Sequence, residues 1–312
     1  MKPFSVILLL LLLLASCDMF HYHPYEDVEG CNTNLTAKNI GLIEQLGHGR
    51  DTLRFAFISD TQRQYDDTRD AIDFINASDG LDFVLHGGDI TDFGATFEFE
   101  WMYRELERLR LPYLTVIGNH DFLGTGEHAY QEIYGPYNYS LNIGHLHLVA
   151  LNTSSREQDY TIHVPDFEFL FSDIEQVNNL NNQVPDSITH TIILMHARPG
   201  DEQFNNNLAL PFAHYIQYYP GMLASDPLFE EQDISAMKEH CSRGGEISED
   251  DEKAILGSPR RGFCLNGHNH QHELYHALNN RTLFYGVPDI HKRQVFLFTI
   301  YPNGYDYEMQ TF

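Results

Sequence analysis

Residues 83–92 read Phe-Val-Leu-His-Gly-Gly-Asp-Ile-Thr-Asp, an apolar run of strand length that stops at two glycines and then carries two carboxylates. Phe83 to His86 suits a buried strand, and Gly87 and Gly88 permit a tight turn that no side chain obstructs. That turn brings Asp89 and its backbone close to an ion, and the two oxygens of Asp89 can bridge two cations. Asp92, three residues on, is left for another role. Open α/β sheets bind ligands at the carboxyl ends of their strands, so a strand that ends in chemistry-bearing residues points to a layered α/β domain.

Working outward, the same event recurs in both directions. Leu53 to Ser59 ends in Asp60, Thr61 and Gln62, and extended chain puts residues i and i+2 on one face, so the Asp60 carboxylate and the Gln62 amide oxygen can address one cation. Tyr113 to Ile117 ends in Gly118, Asn119, His120 and Asp121; Thr189 to Met195 ends in His196. Arg261 to Leu265 ends in Asn266, Gly267, His268, Asn269 and His270, with two imidazoles again at i and i+2. Two carboxylates, two amides and three imidazoles suit divalent metal ions, with His120 and Asp92 to spare. Amphipathic stretches at 66–77, 96–109 and 167–179 predict helices between these strands, with Phe97, Trp101 and Tyr103 reading as core. Strands at 282–285, 294–300 and 305–310 flank Pro302, Asn303 and Gly304, so the chain finishes antiparallel and the sheet is mixed.

In order and style, Asp60 to Gln62, Gly88 to Asp92, Gly118 to Asp121, His196 and Gly267 to His270 resemble the motifs of the calcineurin-like metallophosphoesterase family, over about two thirds of the chain. The resemblance implies an α/β fold, a four-layer α/β sandwich of two mixed sheets flanked by helices, with the site on loops at the sheet edges. It implies two divalent metal ions, manganese, iron or zinc, one held by Asp60, Gln62, Asp89 and His270 and the other by Asp89, Asn119, His196 and His268. The implied reaction is hydrolysis of a phosphate monoester, diester or pyrophosphate bond by a metal-activated hydroxide. His120 is the acid for the leaving oxygen, and Asp92 orients its imidazole. Gln62 stands where most members have histidine, and its harder amide oxygen favours Mn²⁺.

Other residues near the motifs invite plainer readings. Arg63 and Arg198 flank ligands and can grip the phosphate of a substrate bidentately. His86 supports its loop; His145 and His147 share a strand face with no accompanying carboxylate and read as a packed or surface pair; His272 and His276 read as rim residues. Tyr215, Tyr218 and Tyr219 either line a substrate groove or belong to a helix packed on the sheet.

The composition is that of a folded soluble body rather than of a disordered chain. The chain has 312 residues, 42% hydrophobic and 13% aromatic, and its 19 Lys plus Arg against 45 Asp plus Glu give a net charge of -26. Such a surface repels nucleic-acid phosphates, which rules out a general DNA or RNA binder as the leading reading, and no general nucleic-acid binding is expected. Lys2 precedes an apolar run from Val6 to Ala15, too short for the roughly 20 residues of a membrane-spanning helix. The run ends in Leu14, Ala15, Ser16 and Cys17, which resembles the lipobox of bacterial lipoproteins and implies acylation of Cys17. The protein is then exported and held on a bacterial membrane by a lipid anchor, at the periplasmic face or the cell surface.

The expected organisation is a signal peptide at 1–16, a tether and N-terminal extension at 17–50 that orders near Ile40, and a catalytic domain at 51–312. An acidic insertion at 221–259 carries ten carboxylates against Lys238, Arg243 and Lys253, and is expected to shape access to the metals. With Cys17 lipidated, Cys31, Cys241 and Cys264 allow at most one bridge, and Cys264 reads as a buried thiol. The reading from another class is a surface lipoprotein that binds a ligand or partner on the same scaffold without turnover. A zinc peptidase is disfavoured because His-Glu-x-x-His is missing.

Overall fold

In β1, Leu53–Ile58, successive side chains enter two different cores: Leu53, Phe55 and Phe57 join one apolar cluster, Ala56 and Ile58 another. A strand buried on both faces needs a partner layer on each side. The computed structural model describes residues 27–222, 261–277 and 282–312 and supplies those layers. Cys17, Cys241 and nearly all of the 221–259 insertion lie outside the described residues.

One sheet has the order β11-β10-β1-β2-β3, with β2 at Phe83–His86, β3 at Tyr113–Thr115, β10 at Gln294–Tyr301 and β11 at Gly304–Thr311. Its β1, β2 and β3 run parallel, while β10 is antiparallel to both β1 and β11. The other sheet has the order β4-β5-β6-β7-β9-β8, comprising Tyr139–Ile143, Leu146–Leu151, His190–Met195, Gly262–Asn266, Thr282–Gly286 and Glu273–Ala277 respectively. Here β5, β6, β7 and β9 are parallel and the edge strands β4 and β8 antiparallel. Both sheets are mixed.

The faces between the sheets form an aromatic core. Phe55 stacks on Phe83 and on Phe298, each at 5.1 Å, and Phe298 stacks across the gap on Phe263 of β7, also at 5.1 Å. The outer face of the first sheet is covered by α2 (Tyr65–Ala77), α3 (Thr96–Leu106) and α4 (Gly126–Ile133) through Ile72, Ile75, Phe99, Met102 and Tyr130. The outer face of the second is covered by α5 (Phe167–Gln183) and α6 (Ala209–Ile216) through Leu170, Ile174, Phe212 and Ile216. Helices, sheet, sheet and helices make the four layers that the motifs implied.

Several local expectations need correcting. Order begins earlier than Ile40: α1 spans Leu35–Gly47, buries Leu35 and Ile43, and ties itself to β3 by a 2.8 Å bond from the Asn39 amide to the Tyr113 carbonyl. Trp101 is 47% exposed, because the core stripe of α3 runs through Phe99, Met102, Tyr103 and Leu106; Trp101 meets Phe97 and Tyr65 at the surface instead. His147 does have a carboxylate, supplied from α5: its Nε2 lies 2.8 Å from Asp173, which also accepts from the Tyr219 hydroxyl at 2.7 Å. Burial alone would raise the Asp173 carboxyl, but the bonds from His147, Ser140 and Tyr219 hold it below its ordinary range. Tyr219 is thus core, Tyr215 packs on Phe167 and Phe171, and only Tyr218 of the three is exposed. Cys31 and Cys264 are free thiols, and burial pushes that of Cys264 well up. Among the described residues no helix is long and apolar enough to cross a membrane.

Candidate metal centre

The loops after β1, β2, β3, β6 and β7 converge, so both sheets contribute at their carboxyl ends. Two groups of donors form there. Asp89, His196 and His268 make one, and Asp60, Asp89 and His270 the other, with the donor atoms of each group within 4.8 Å of one another. Asp89 belongs to both, and the two carboxylates are fully buried, at 0% and 1% exposure for Asp60 and Asp89.

Hydrogen bonds define the orientation of each ligand. The His196 Nδ1 lies 2.8 Å from the Gly87 carbonyl, which can only accept, so Nδ1 carries the hydrogen and Nε2 holds the lone pair in the neutral ring. That Nε2 stands 3.0 Å from the Asn119 side-chain oxygen and 3.3 Å from Asp89. His270 Nε2 is 3.2 Å from Asp60, with Asp289 behind its other nitrogen at 3.5 Å. The His268 N–H donates to the Asp60 carboxylate at 3.2 Å, and the Gln62 side-chain N–H, rather than its oxygen, faces Asp89 and donates to it at 3.4 Å.

The electrostatics ask for positive charge. Burial opposes a charged His196, yet Asp89 outweighs it and lifts the imidazole to about 10. Burial would likewise raise Asp89, but His196 holds it below the carboxylate range. His268 is depressed, first by burial and then by the charge of His196. Two buried carboxylates facing convergent imidazole and amide donors fit divalent cations in donor type and in charge.

The backbone is strained to make this possible. Asp60, Gln62, Asp89, His268 and His270 all have positive φ, at 53°, 35°, 53°, 72° and 55°. Left-handed backbone costs a non-glycine residue about 1–2 kcal/mol, and persists only where its surroundings over-determine it. Two glycines let the loops close on the carboxylates: a Cβ at Gly118 would lie 2.1 Å from an Asp89 oxygen, and one at Gly267 2.5 Å from an Asp60 oxygen.

Residues beyond the ligands hold the loops in place. Buried Asp121, which sequence reasoning left without a role, accepts from the backbone of Ile90, Thr91 and Gly118 and from the Thr91 hydroxyl, joining the loops after β2 and β3. Burial and the charge of Asp89 push it up to about 7. The only sequence signal for it was its place directly after Asn119 and His120. His86 does support its loop, with Nε2 3.1 Å from the Thr61 hydroxyl and Nδ1 accepting from the Gly88 N–H. Exposed His272 rests its ring on Phe296.

Three expectations about the catalytic edge change. His120 lies beside the group, its N–H donating to Asp89 at 2.9 Å, but its Nδ1 is held by the main-chain carbonyl of Asp92 at 2.7 Å rather than by the carboxylate, which is 3.8 Å away. The Asp92 carboxylate pairs instead with Arg63 Nε at 2.9 Å, and Arg63 remains 64% exposed. Arg198, by contrast, is buried, and its guanidinium is engaged by Glu273 at 2.9 Å and Asp201 at 3.3 Å. It does not stand ready to grip a phosphate. The same two carboxylates each accept from the Asn269 amide at 3.1 Å, so Arg198 steadies the residue between His268 and His270.

The chain matches the family model for calcineurin-like phosphoesterases over residues 53–272. Its fold is similar to that of GAP50, described as the anchor in the inner membrane complex of Plasmodium, at 12% identity and a TM-score of 0.51, covering 84% of this chain and 85% of that one. It is also similar to the purple acid phosphatase PPD1 from yellow lupin (Lupinus luteus) seeds, at 13% identity and a TM-score of 0.50, covering 85% of this chain. The chain spans about half the lupin phosphatase, 52% of its length. At these identities the likenesses concern the fold. No curated protein matches the chain significantly in sequence.

Proposed function

The chain belongs to the calcineurin-like phosphoesterase family, whose members are hydrolases acting on phosphoesters, and from that premise we propose that its centre works with two divalent ions. The observation that supports two ions is the double membership of Asp89, the one carboxylate common to both donor groups. Asp60, Gln62, Asp89 and His270 would hold one ion, and Asp89, Asn119, His196 and His268 the other. When bound, the ions would offset the charge of the ester and acidify a water. With its side-chain amide turned over from the orientation that donates to Asp89, Gln62 would offer an oxygen to the first ion, and that harder donor would favour Mn²⁺ there.

The chain's own contribution to turnover is the proton for the leaving oxygen. Because the Asp92 carbonyl holds His120 Nδ1–H, the second proton of the imidazolium sits on Nε2, and that is the proton to be given. Asp89 accepts the His120 N–H and so fixes the distance between the acid and the ligands. His196, pinned by Gly87, turns its Nε2 toward Asn119 and Asp89.

The same proposal includes the organisation of the chain: a leader at 1–16, lipid attachment at Cys17, an extension to residue 50, a catalytic domain at 51–312 with an insertion at 221–259, and export to the periplasmic face or cell surface of a bacterium. The run from Leu14 to Cys17 supports it. Mass spectrometry of the mature N-terminus tests it, with a diacylglyceryl group on Cys17 expected and an intact Met1 overturning it.

The enzymatic proposal is tested by elemental analysis of the full-length protein together with hydrolysis of p-nitrophenyl phosphate and bis-p-nitrophenyl phosphate, with and without added Mn²⁺. Two metals per chain and metal-dependent turnover are expected, and the ratio of the two rates separates monoesterase from diesterase. One metal or none, with neither compound turned over, would make Gln62 a lost ligand and the protein a binder on the same scaffold.

A further inference from the structure

His120 is held by the main-chain carbonyl of Asp92 and donates its backbone N–H to Asp89, so the residues around Asp92 border the donor groups. Asp92, whose carbonyl holds His120, is followed by Phe93, a large apolar side chain 58% exposed. Its position is built rather than loose. The Phe93 N–H donates at 2.9 Å to buried Glu98, which also accepts from the Ala95 N–H at 3.2 Å. Gly94 lies beneath the turn that carries His120: a Cβ there would be 1.9 Å from the Leu123 carbonyl oxygen, while the Leu123 N–H bonds back to the His120 carbonyl at 3.2 Å.

Arg63 completes the arrangement. Its Nε pairs with the Asp92 carboxylate at 2.9 Å, and its guanidinium carbon lies 5.3 Å from the centre of the Phe93 ring. Contacts therefore run from the imidazole through Asp92 and Arg63 to an aromatic ring that faces water. In a protein of net charge -26, a cation placed on that ring beside the acid is a specific investment of the fold. An exposed ring and a planar cation both present faces on which a flat ring stacks.

We propose that Phe93 and Arg63 form a leaving-group subsite, which selects phosphate esters whose alcohol carries a planar aromatic ring such as a nucleobase. This rests on the phosphoesterase reading and names the substrate class of that site. In the reaction a water oxygen forms the new bond to phosphorus and the water gives up a proton to solvent. The bond from phosphorus to the alcohol oxygen breaks with its electron pair on that oxygen, and His120 Nε2 supplies the proton that makes the alcohol. The ring of that alcohol stacks beside the ring of Phe93.

The test compares 5′-AMP with ribose 5-phosphate, each as the monoester and as the methyl diester, scored by release of the sugar alcohol. Both members of a pair lose the same 5′-oxygen, so intrinsic reactivity is matched and only the base differs. Stacking of one base corresponds to a preference of about tenfold or more in kcat/KM for the adenosine ester. Phe93→Ala is expected to bring the ratio to about one, and Phe93→Trp to retain it. A ratio near one in the unaltered protein, or an unchanged ratio in Phe93→Ala, overturns the subsite. Turnover of p-nitrophenyl esters without base preference overturns the subsite alone, whereas no metal-dependent turnover of any ester overturns the phosphoesterase reading beneath it.

Discussion

The Nδ1 of His120 lies 2.7 Å from the main-chain carbonyl oxygen of Asp92 and 3.8 Å from that residue's carboxylate. The backbone therefore orients the imidazole, and the side chain at 92 serves chiefly to hold Arg63. His120→Asn is expected to lower kcat by about 10²- to 10⁴-fold with metal content unchanged. Asp92→Asn, which keeps the carbonyl, should lose much less. Steady-state kinetics with elemental analysis decides between the two groups: equal damage from both variants would return the orienting role to the carboxylate.

Because Asp89 is common to both donor groups and His270 belongs to one, their substitutions should differ in kind. Asp89→Asn is expected to remove both ions and His270→Ala only one. A ligand that binds only the folded state stabilises it by about 2.7 kcal/mol at a hundredfold excess over its dissociation constant. Saturating Mn²⁺ should thus raise the Tm of the native protein, raise it less for His270→Ala, and leave Asp89→Asn unmoved. Equal shifts in the two variants would mean that Asp89 is not shared.

Arg198 sits between Asp201 and Glu273 in a buried network, and removing a buried cation leaves its carboxylates uncompensated. Arg198→Met is expected to lower the unfolding free energy by about 3–5 kcal/mol, measured by urea denaturation. The folded fraction should keep its KM for phosphate esters. A raised KM with intact stability would instead restore Arg198 as a phosphate-gripping residue.

Stability should also fall on mild acidification. Burial, together with the nearby charges of His145 and Arg261, depresses His190 to about 3, so the unfolded chain takes up a proton near pH 6.5 that the folded chain refuses. The contribution of a neutral His190 is complete above about pH 6.5 and declines as pH falls toward 3, by at most about 1.4 kcal/mol per unit. Urea unfolding at pH 7.5 and 5.5 should show a smaller difference for His190→Gln than for the native protein. An identical difference would show that His190 is protonated in the folded state.

The architecture was legible because the strands are buried on both faces and stop abruptly, so Ile58, His86 and Met195 each stand just before residues that no apolar core would hold. What escaped was whatever depends on partners distant in sequence. Asp173 meets His147 from another element, and Glu273 meets Arg198 from the far side of the insertion, with no local signal for either. The edge strands Tyr139–Ile143 and Glu273–Ala277 are short, and the polar Ser140 and Asn142 of the first blur its apolar run. Trp101 misled for a different reason: it shares a helical stripe with Phe97, but that stripe faces water and the neighbouring one faces the sheet.

His270 touches Asp60 at 3.2 Å, although the two residues stand at opposite ends of the catalytic fold's sequence. Each donor group takes members from β1 or β2 and from the turn after β7. A polypeptide released before residue 268 would own neither set, however well its first sheet had formed. Metal uptake thereby acts as a receipt for near-complete synthesis. A seated ion would close a very long loop, restricting the unfolded ensemble much as a cross-link does and adding a tie between two sheets already joined by a mixed aromatic and aliphatic core and by the bond from His196 to Gly87.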